Sequence, residues 1–537
     1  MKYFYNLRLL LLLANISILT GSCQDDSNER GTGGQSSKND ILTVTVNLDD
    51  PRQTIHNFGA SDAWSCQFVG KNWPSDKKEK IADLLFSREV DETGNPLGIG
   101  LSAWRFNIGG GSAEQGDNSL INDDWRRSES FLLLDGSFDP SKHEGQRWFL
   151  KAAKARGVEQ FIAFVNSPPV SLTKNGKAFN EKDGEPYANL PASNYTAYAN
   201  FLADVAERLR DDDIDLDYIS PFNEPQWKWE CCNQEGSPWT NKEISVISKE
   251  INEVFESRNI TTKLEIAEAA KINFLYRAEP EFPQRSNQVE EFFKTNSGLY
   301  LEDIPLMAKK IAGHSYFTTW DVNTMIDMRK ELALKIQSVN PNLEYWMTEY
   351  SILENNEEIK GNGRDLTVNT ALYVARVIHH DLTVANASAW QWWLGVSPYD
   401  YKDGLVYIDH SKFGGEIYDS KTLWVMGNFS RFIRPGMVRV NTSRSDNATD
   451  YESALDLMTS AYIGTNSEMV IVFINYRNSD KKVNLKLNGA NVAEGTTFSQ
   501  YLTGRGGDEN LKYTGTVAAG NEIIIPARSV LSLVSGK

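Results

Sequence analysis

Residues 195–225 read YTAYANFLADVAERLRDDDIDLDYISPFNEP, and two structural periods follow one another in that stretch. Tyr198, Phe201, Leu202, Val205 and Leu209 recur at steps of three and four, the spacing of one face of a helix. After an aspartate-rich turn, Asp217–Asn223 forms an apolar run of strand length. A helix feeding a strand, with no hairpin between them, is the unit of a parallel α/β fold.

The same alternation extends in both directions. Strand-like runs lie at Ile55–Ala60, Ser102–Ile108, Gln160–Asn166, Asp217–Asn223, Leu264–Ala269, Ile311–Tyr316, Tyr345–Glu349 and Ala387–Trp392. Helical patterns separate them at Asp76–Ser87, Gln146–Arg156, Tyr195–Arg210, Asn241–Arg258, Met325–Val339 and Asn369–Val384, and a last helix at Lys421–Phe432 precedes Pro435-Gly436. Thr240-Asn241-Lys242-Glu243 has the form of a capping box, which satisfies the first free amides of a helix. Eight such units predict a closed (β/α)₈ barrel over residues 51–434. A doubly wound sheet would show a phosphate-binding glycine fingerprint after its first strand. Gly109-Gly110-Gly111 follows the second strand and lacks that spacing.

From residue 435 to 537 the pattern becomes short β-rich runs: Met437–Val440, Leu455–Ile463, Met469–Tyr476, Lys482–Leu487, Thr497–Leu502 and Glu522–Val534. They predict a small antiparallel β-sandwich. The alternating stretch Ile41–Leu48, within residues 41–50, has no partner in a parallel barrel and is expected to join that sandwich.

At the amino end, Lys2 and Arg8 flank an apolar run from Leu9 toward Leu19, followed by Thr20-Gly21-Ser22-Cys23. This reads as a secretory leader over 1–22, with Cys23 as the lipidated first residue, and residues 23–40 as a polar tether. The expected location is the cell surface or outer membrane of a Gram-negative bacterium, with membrane contact only through the lipid. The net charge of −17 opposes a nucleic-acid partner, whose phosphates require Lys and Arg. The six His are scattered and the cysteines fit no common zinc spacing, so neither a metal nor another cofactor is expected. A monomer is expected. Three cysteines follow Cys23, so at least one of Cys66, Cys231 and Cys232 is left without a partner inside the chain.

Catalytic groups of a (β/α)₈ barrel sit at the carboxyl ends of its strands. The fourth strand ends Ser220-Pro221-Phe222-Asn223-Glu224-Pro225, and the seventh ends Tyr345-Trp346-Met347-Thr348-Glu349-Tyr350. Two carboxyls facing one mouth are what glycoside hydrolysis needs: one attacks the anomeric carbon and the other protonates the departing oxygen. Arg105, at the end of the second strand, is placed to hold a carboxylate ionised. Tyr316 is placed to donate to Glu349, and Trp390 to floor the sugar subsite. Asp62 has two readings, an acceptor for sugar hydroxyls or a cap on its turn.

These residues resemble glycoside hydrolase family 30, of the clan of retaining (β/α)₈ glycosidases. The matching pieces are Phe58-Gly59-Ala60-Ser61-Asp62-Ala63-Trp64, Trp104-Arg105-Phe106-Asn107-Ile108-Gly109, Asn223-Glu224-Pro225, Gly313-His314-Ser315-Tyr316, Trp346-Met347-Thr348-Glu349 and Ala389-Trp390-Gln391-Trp392-Trp393. The resemblance implies Glu224 as acid/base, Glu349 as nucleophile and Asn223 as the partner of the sugar 2-hydroxyl, and it places Trp64 among the substrate-binding residues. Many members carry Ser-Pro-x-Trp after the third strand, where this chain has Ser167-Pro168-Pro169-Val170. Trp227 and Trp229 are expected to wall the cleft, and Cys66 is placed to reach Cys231 or Cys232. The implied substrate is a β-linked polysaccharide or oligosaccharide. The start at Gly59–Trp64 is similar to the endo-β-1,6-galactanase branch, with β-1,6-glucanase and xylanase as alternatives within the family. A non-catalytic carbohydrate-binding lipoprotein is the alternative outside it.

Overall fold

The computed structural model describes residues 41–184, 186–489 and 495–536. The leader, Cys23 and the tether expected over residues 1–40 lie outside the described residues.

After β1 (Leu42–Thr54) come the eight predicted strands: β2 (Asn57–Ser61), β3 (Ala103–Ile108), β4 (Gln160–Val165), β5 (Tyr218–Ser220), β6 (Lys263–Leu264), β7 (Lys310–His314), β8 (Glu344–Glu349) and β9 (Ala387–Ser397). β2 to β6 pair in parallel in chain order, β7 pairs with β8, β8 with β9, and β9 returns to β2. The gap between β6 and β7 is spanned by Ala308 N–H to Leu264 O (2.9 Å), Ala312 N–H to Ile266 O (2.7 Å) and His314 N–H to Ala269 O (2.8 Å), so the cylinder closes.

The strands are apolar because both faces are covered. All of β3 is buried, one face against helices and the other toward the barrel axis. On the axis, Ala103, Ile162, Trp346 and Ala389 pack together near the amino ends of the strands. Polar side chains fill the same layer in pairs: Gln391 donates to Asn57 (2.9 Å), and Asn57 donates to Gln160 (2.7 Å).

The longer helices are α1 (Ser65–Asn72), α2 (Ser75–Phe86), α3 (Glu144–Ala155), α4 (Tyr195–Asp211), α5 (Asn241–Ser257), α6 (Val322–Val339), α7 (Val368–Thr383) and α8 (Lys421–Ser430). On α4 the five residues of the sequence stripe are all buried, each contributing about 1.5–3 kcal/mol where the side chain is large and apolar. At the start of α5, Glu243 N–H donates to Thr240 Oγ1 (3.1 Å) while Thr240 N–H donates to the Glu243 carboxylate (2.8 Å).

Two strands not expected from the sequence, β10 (Gly404–Ile408) and β11 (Ile417–Asp419), extend the barrel sheet beyond β9. The carboxyl-terminal region holds β12 (Val438–Arg444), β13 (Leu457–Ile463), β14 (Met469–Asn475), β15 (Lys481–Asn488), β16 (Thr497–Thr503), β17 (Lys512–Ala518), β18 (Glu522–Ile525) and β19 (Ser529–Ser535). Their order is β17-β16-β19-β14-β13-β12-β1-β15-β18. β1 lies antiparallel to β12 and parallel to β15, so the side sheet is mostly rather than wholly antiparallel. Val44 and Val46 of β1 share one core with Phe473, Phe498 and Ile523, which come from strands far apart in that order. The sheet therefore curls over itself. Among the described residues no helix is long and apolar enough to cross a membrane.

Candidate active site

Barrel strands four and seven of the sequence reading are β5 and β8. Glu224 follows β5, Glu349 ends β8, and His314 ends β7 between them. One oxygen of each carboxylate and a ring nitrogen of His314 all lie within 4.8 Å of one another. Glu224 and Glu349 are 8% and 3% exposed, low values that still leave each a face toward the mouth.

Each catalytic candidate is held from several sides. Arg105 Nη1 donates to Glu349 Oε2 (3.1 Å), and Tyr316 Oη donates to Glu349 Oε1 (3.1 Å). His314 Nδ1 is 3.0 Å from Glu224 Oε1 and 3.7 Å from Glu349 Oε1. The Glu224 backbone is left-handed (φ 44°), a strained conformation for a side chain of this size. It is pinned by Glu224 N–H to Glu268 O (2.9 Å) and by Trp229 Nε1–H to Glu224 O (3.1 Å). Asn223, 2% exposed, donates to Asn166 Oδ1 (3.0 Å), while its own Oδ1 has no partner among the described residues.

Burial pushes the Glu349 carboxyl above its ordinary value, and the nearby Glu224 and Glu268 add to that; His314 and Arg105 pull it back. For His314, burial alone would lower the ring, but Glu349, Glu224 and Glu268 outweigh it and raise it to about 10. His314 is therefore an imidazolium at neutral pH. Glu224, His314 and Glu349 also have the spacing of a cation cage. An imidazolium has no free lone pair, so a metal would have to displace the Nδ1 proton to bind there.

The remaining sequence candidates fall in different places. Trp390 does not floor the subsite. It is fully buried, and its Nε1–H donates to Asp381 of α7 (2.9 Å), which turns the ring toward the helices. The ring that reaches the site side is half-buried Trp393. It packs edge-on against Trp64 (5.4 Å between centroids) and Phe164 (6.1 Å), and Phe164 in turn carries the Arg105 guanidinium 4.2 Å from its centroid. The β2–β9 register slips at this point, with Ala60 opposite Trp392 but Ser61 opposite Leu394. Trp393 is the extra residue of that bulge. Trp64 is 5% exposed and supports Trp393 from behind. Asp62 is completely buried and accepts from Asn107 N–H (2.8 Å) and Gln146 Nε2–H (3.0 Å), so it ties the turn rather than meeting a sugar. Burial pushes it up to about 8.

Trp227 packs edge-on between Phe274 and Phe282, and Trp229 lies over Gly236, where an added Cβ would sit 2.2 Å from the ring. Both are half-buried parts of the loop after β5. Cys231 and Cys232 are bonded to each other, and Cys66 is a buried free thiol, so the expected link from Cys66 does not form. Adjacent residues meet without any help from the fold, and Cys66 is enclosed within the hydrophobic core.

Two groups at the centre of the site were missed in the sequence. His314 was quoted within a motif but given no role. Glu268, just beyond β6, is completely buried and touches four barrel strands or their ends. Its partners are Arg105 Nη2 (3.4 Å), Ser220 Oγ (2.9 Å), His314 Nε2 (2.9 Å) and Thr348 Oγ1 (2.5 Å). The available signal was two acids, Glu265 and Glu268, within the barrel strand read at Leu264–Ala269, where charged side chains are rarely buried without partners.

The two aromatic positions make a paired prediction. Trp393→Ala should lower kcat/KM about tenfold with little loss of stability, since an aromatic contact contributes about 0.5–1.5 kcal/mol. Trp390→Phe should leave kcat/KM near wild type and lower stability by about 1–3 kcal/mol through the lost bond to Asp381. Kinetics and denaturant unfolding on both variants check this.

The O-glycosyl hydrolase family 30 model matches residues 41–407. The chain is 24% identical over 503 residues to glucuronoxylanase XynC of Bacillus subtilis (strain 168), covering 91% of each protein. A conserved exported protein from Bacteroides fragilis superposes with a TM-score of 0.86 at 35% identity, over 92% of this chain and 100% of that one. An endo-β1,6-glucanase shares the fold with a TM-score of 0.65 at 18% identity, over 92% of this chain and 94% of that one. With its closed barrel, its curled side sheet and two glutamates meeting at the ends of β5 and β8, this chain belongs to O-glycosyl hydrolase family 30 and is a glycoside hydrolase.

Proposed function

We propose that the enzyme hydrolyses a β-linked polysaccharide with retention of configuration, by double displacement. The observation that carries this is that one carboxylate oxygen of Glu224 lies within 4.8 Å of one of Glu349, which leaves no room for a water between the two groups and the anomeric carbon. Retaining enzymes hold their carboxyls about 5–5.5 Å apart, whereas inverting ones keep about 6.5–9.5 Å to admit a water. In the first step Glu349 attacks the anomeric carbon as the glycosidic bond breaks, and the departing oxygen takes a proton from Glu224. In the second step water, deprotonated by Glu224, displaces Glu349. The unpartnered Oδ1 of Asn223 is the acceptor assigned to the sugar 2-hydroxyl. Trp393, Trp227 and the exposed Phe317, which follows Tyr316, offer flat apolar faces to sugar rings.

For the polymer, β-1,6-galactan is the first choice, on the resemblance of Gly59–Trp64 to that branch. β-1,6-Glucan and glucuronoxylan follow, because relatives of the chain carry those activities in their names. Lipid attachment at Cys23 would hold the enzyme at the cell surface, where a polymer too large to enter is first cut. Reducing-sugar release from the three polymers, with proton NMR of the first product, tests the reading. Cleavage of one polymer with the β-anomer appearing first is expected. A first product of α configuration overturns the double displacement.

A further inference from the structure

Beneath the two catalytic glutamates lies a second layer of ionised groups that the hydrolysis as described does not use. Glu268 is its centre, and its four partners fix its state. Arg105 supplies a full positive charge, and the Ser220 and Thr348 hydroxyls donate to the two carboxylate oxygens. His314 donates through Nε2. Burial by itself would raise Glu268, but Arg105 and His314 outweigh it and hold the carboxyl far below its usual range. Below it, Glu265 and Lys310 form a further buried pair (2.5 Å).

An ionised Glu268 can only accept hydrogen bonds, so Nε2 of His314 carries a proton whatever happens at the other end of the ring. That leaves one mobile proton in the bond between Nδ1 and Glu224 (3.0 Å). When it sits on nitrogen the ring is an imidazolium beside a carboxylate. When it sits on oxygen the ring is neutral and Glu224 is the acid. We propose that Glu268 is a positioning residue of the glycosidase reaction: it fixes His314 with Nδ1 aimed at Glu224, and so makes the Glu224–His314 pair, rather than Glu224 alone, the holder of the proton given to the leaving oxygen. In the first half-reaction that proton passes to the glycosidic oxygen as the carbon–oxygen bond breaks and Glu349 bonds to the anomeric carbon. In the second, the proton removed from water returns to the pair. The left-handed backbones of Glu224 (φ 44°) and Glu268 (φ 51°), joined by Glu224 N–H to Glu268 O, keep the two carboxyls on opposite sides of the ring.

This rests on the glycosidase reading for its kinetic arm only. The groups facing His314 are Glu224 from the loop after β5, Glu268 from beyond β6, Glu349 from β8, and Tyr316 from its own segment. Arg105 stands behind both Glu268 and Glu349, and Glu265 with Lys310 lies below. Glu268→Gln keeps the shape and removes one of the three negative charges around the ring. In the free full-length enzyme, nitrogen-15 NMR of the histidines, with His314→Gln used for assignment, should show wild-type His314 as an imidazolium well above neutral pH. In Glu268→Gln its titration should move down by about 1 pH unit or more. On whichever polymer is cut, the alkaline limb of kcat/KM should move down by the same amount, with KM little changed. His314→Gln should show the same acid-shifted limb, and adding Glu268→Gln to it should shift the limb no further.

An unmoved His314 titration in folded Glu268→Gln overturns the proposal even if no polymer in the panel is cut. So does a wild-type pH profile in His314→Gln, which covers the case in which Glu268→Gln fails to fold. A fall in kcat/KM that is uniform across pH would mean that Glu268 serves structure alone.

Discussion

Glu349→Gln is expected to abolish turnover on polymer and activated substrate alike, with kcat falling on the order of 10⁴-fold or more, as for other enzymes stripped of a covalent nucleophile. The substitution keeps the shape and the acceptor oxygen for Tyr316 and removes the electron pair that bonds to the anomeric carbon. Glu224→Gln should lose comparable activity on polymer, where the departing alkoxide needs a proton. It should keep much more on an aryl glycoside with an acidic phenol, which leaves unaided. This asymmetry separates the two roles: the leaving group compensates for a missing acid and nothing compensates for a missing nucleophile. Steady-state rates on the two substrate types decide it. A Glu349→Gln enzyme that still turned over the aryl glycoside would show that the nucleophile had been assigned to the wrong carboxyl.

The second large effect is expected at Arg105. Its guanidinium is completely buried and lies between two carboxylates, 3.1 Å from Glu349 and 3.4 Å from Glu268. Arg105→Met leaves both acids buried without their shared counter-charge. Breaking a buried ion pair on one side costs about 3–5 kcal/mol of stability. It should also silence the enzyme. Burial already raises the Glu349 carboxyl, Arg105 is one of the two groups opposing that rise, and without it the carboxyl moves further up and the ionised nucleophile is depleted.

The sign of the pH dependence follows from linkage. A carboxyl raised in the folded state binds more protons there than in the unfolded chain, so stability falls as pH rises between the two values. Arg105→Met should therefore be less destabilised at pH 5 than at pH 8, and denaturant unfolding at both values checks this. Arg105→Lys keeps the charge but loses the fork that reaches two carboxylates at once, and should recover only part of the stability. Equal destabilisation of Arg105→Met at the two pH values would show that lost packing against Phe164 is the main cost.

Much of this architecture was legible before any coordinates. All eight barrel strands and the long helices between them except α1 (Ser65–Asn72) were placed from the sequence, because burial on both faces writes long apolar runs into strands and a three-to-four stripe into helices. The misses have specific causes. Lys512–Ala518 forms a strand whose side chains are all partly or fully exposed, so no apolar alternation marks it. Glu522–Val534 reads as one run, yet Pro526 and left-handed Arg528 (φ 52°) divide it into two strands. At the site, Glu224, Glu349, Arg105 and Tyr316 were found because strand ends in a barrel converge, so position along the chain sufficed to bring them together. Trp390 and Trp393 lie on opposite faces of β9, and which face looks into the barrel is decided only by packing: Ala389 and Gln391 lie on the axis, and Trp390 meets Asp381 of α7.

The sequence by itself determined the order of elements, their covered faces and the two glutamates at one mouth, since each of these follows from local periodicity and strand count. The tertiary structure alone decided which charges share a low-dielectric space. Arg105 and Glu349 are 244 residues apart, and His314 and Glu224 are 90 apart. Ionisation at this site depends on desolvation and on charges a few ångströms away through space, and neither is set by spacing along the chain. For that reason the pair of acids could be read from the sequence, while the state of their protons and the role of Glu268 required the fold.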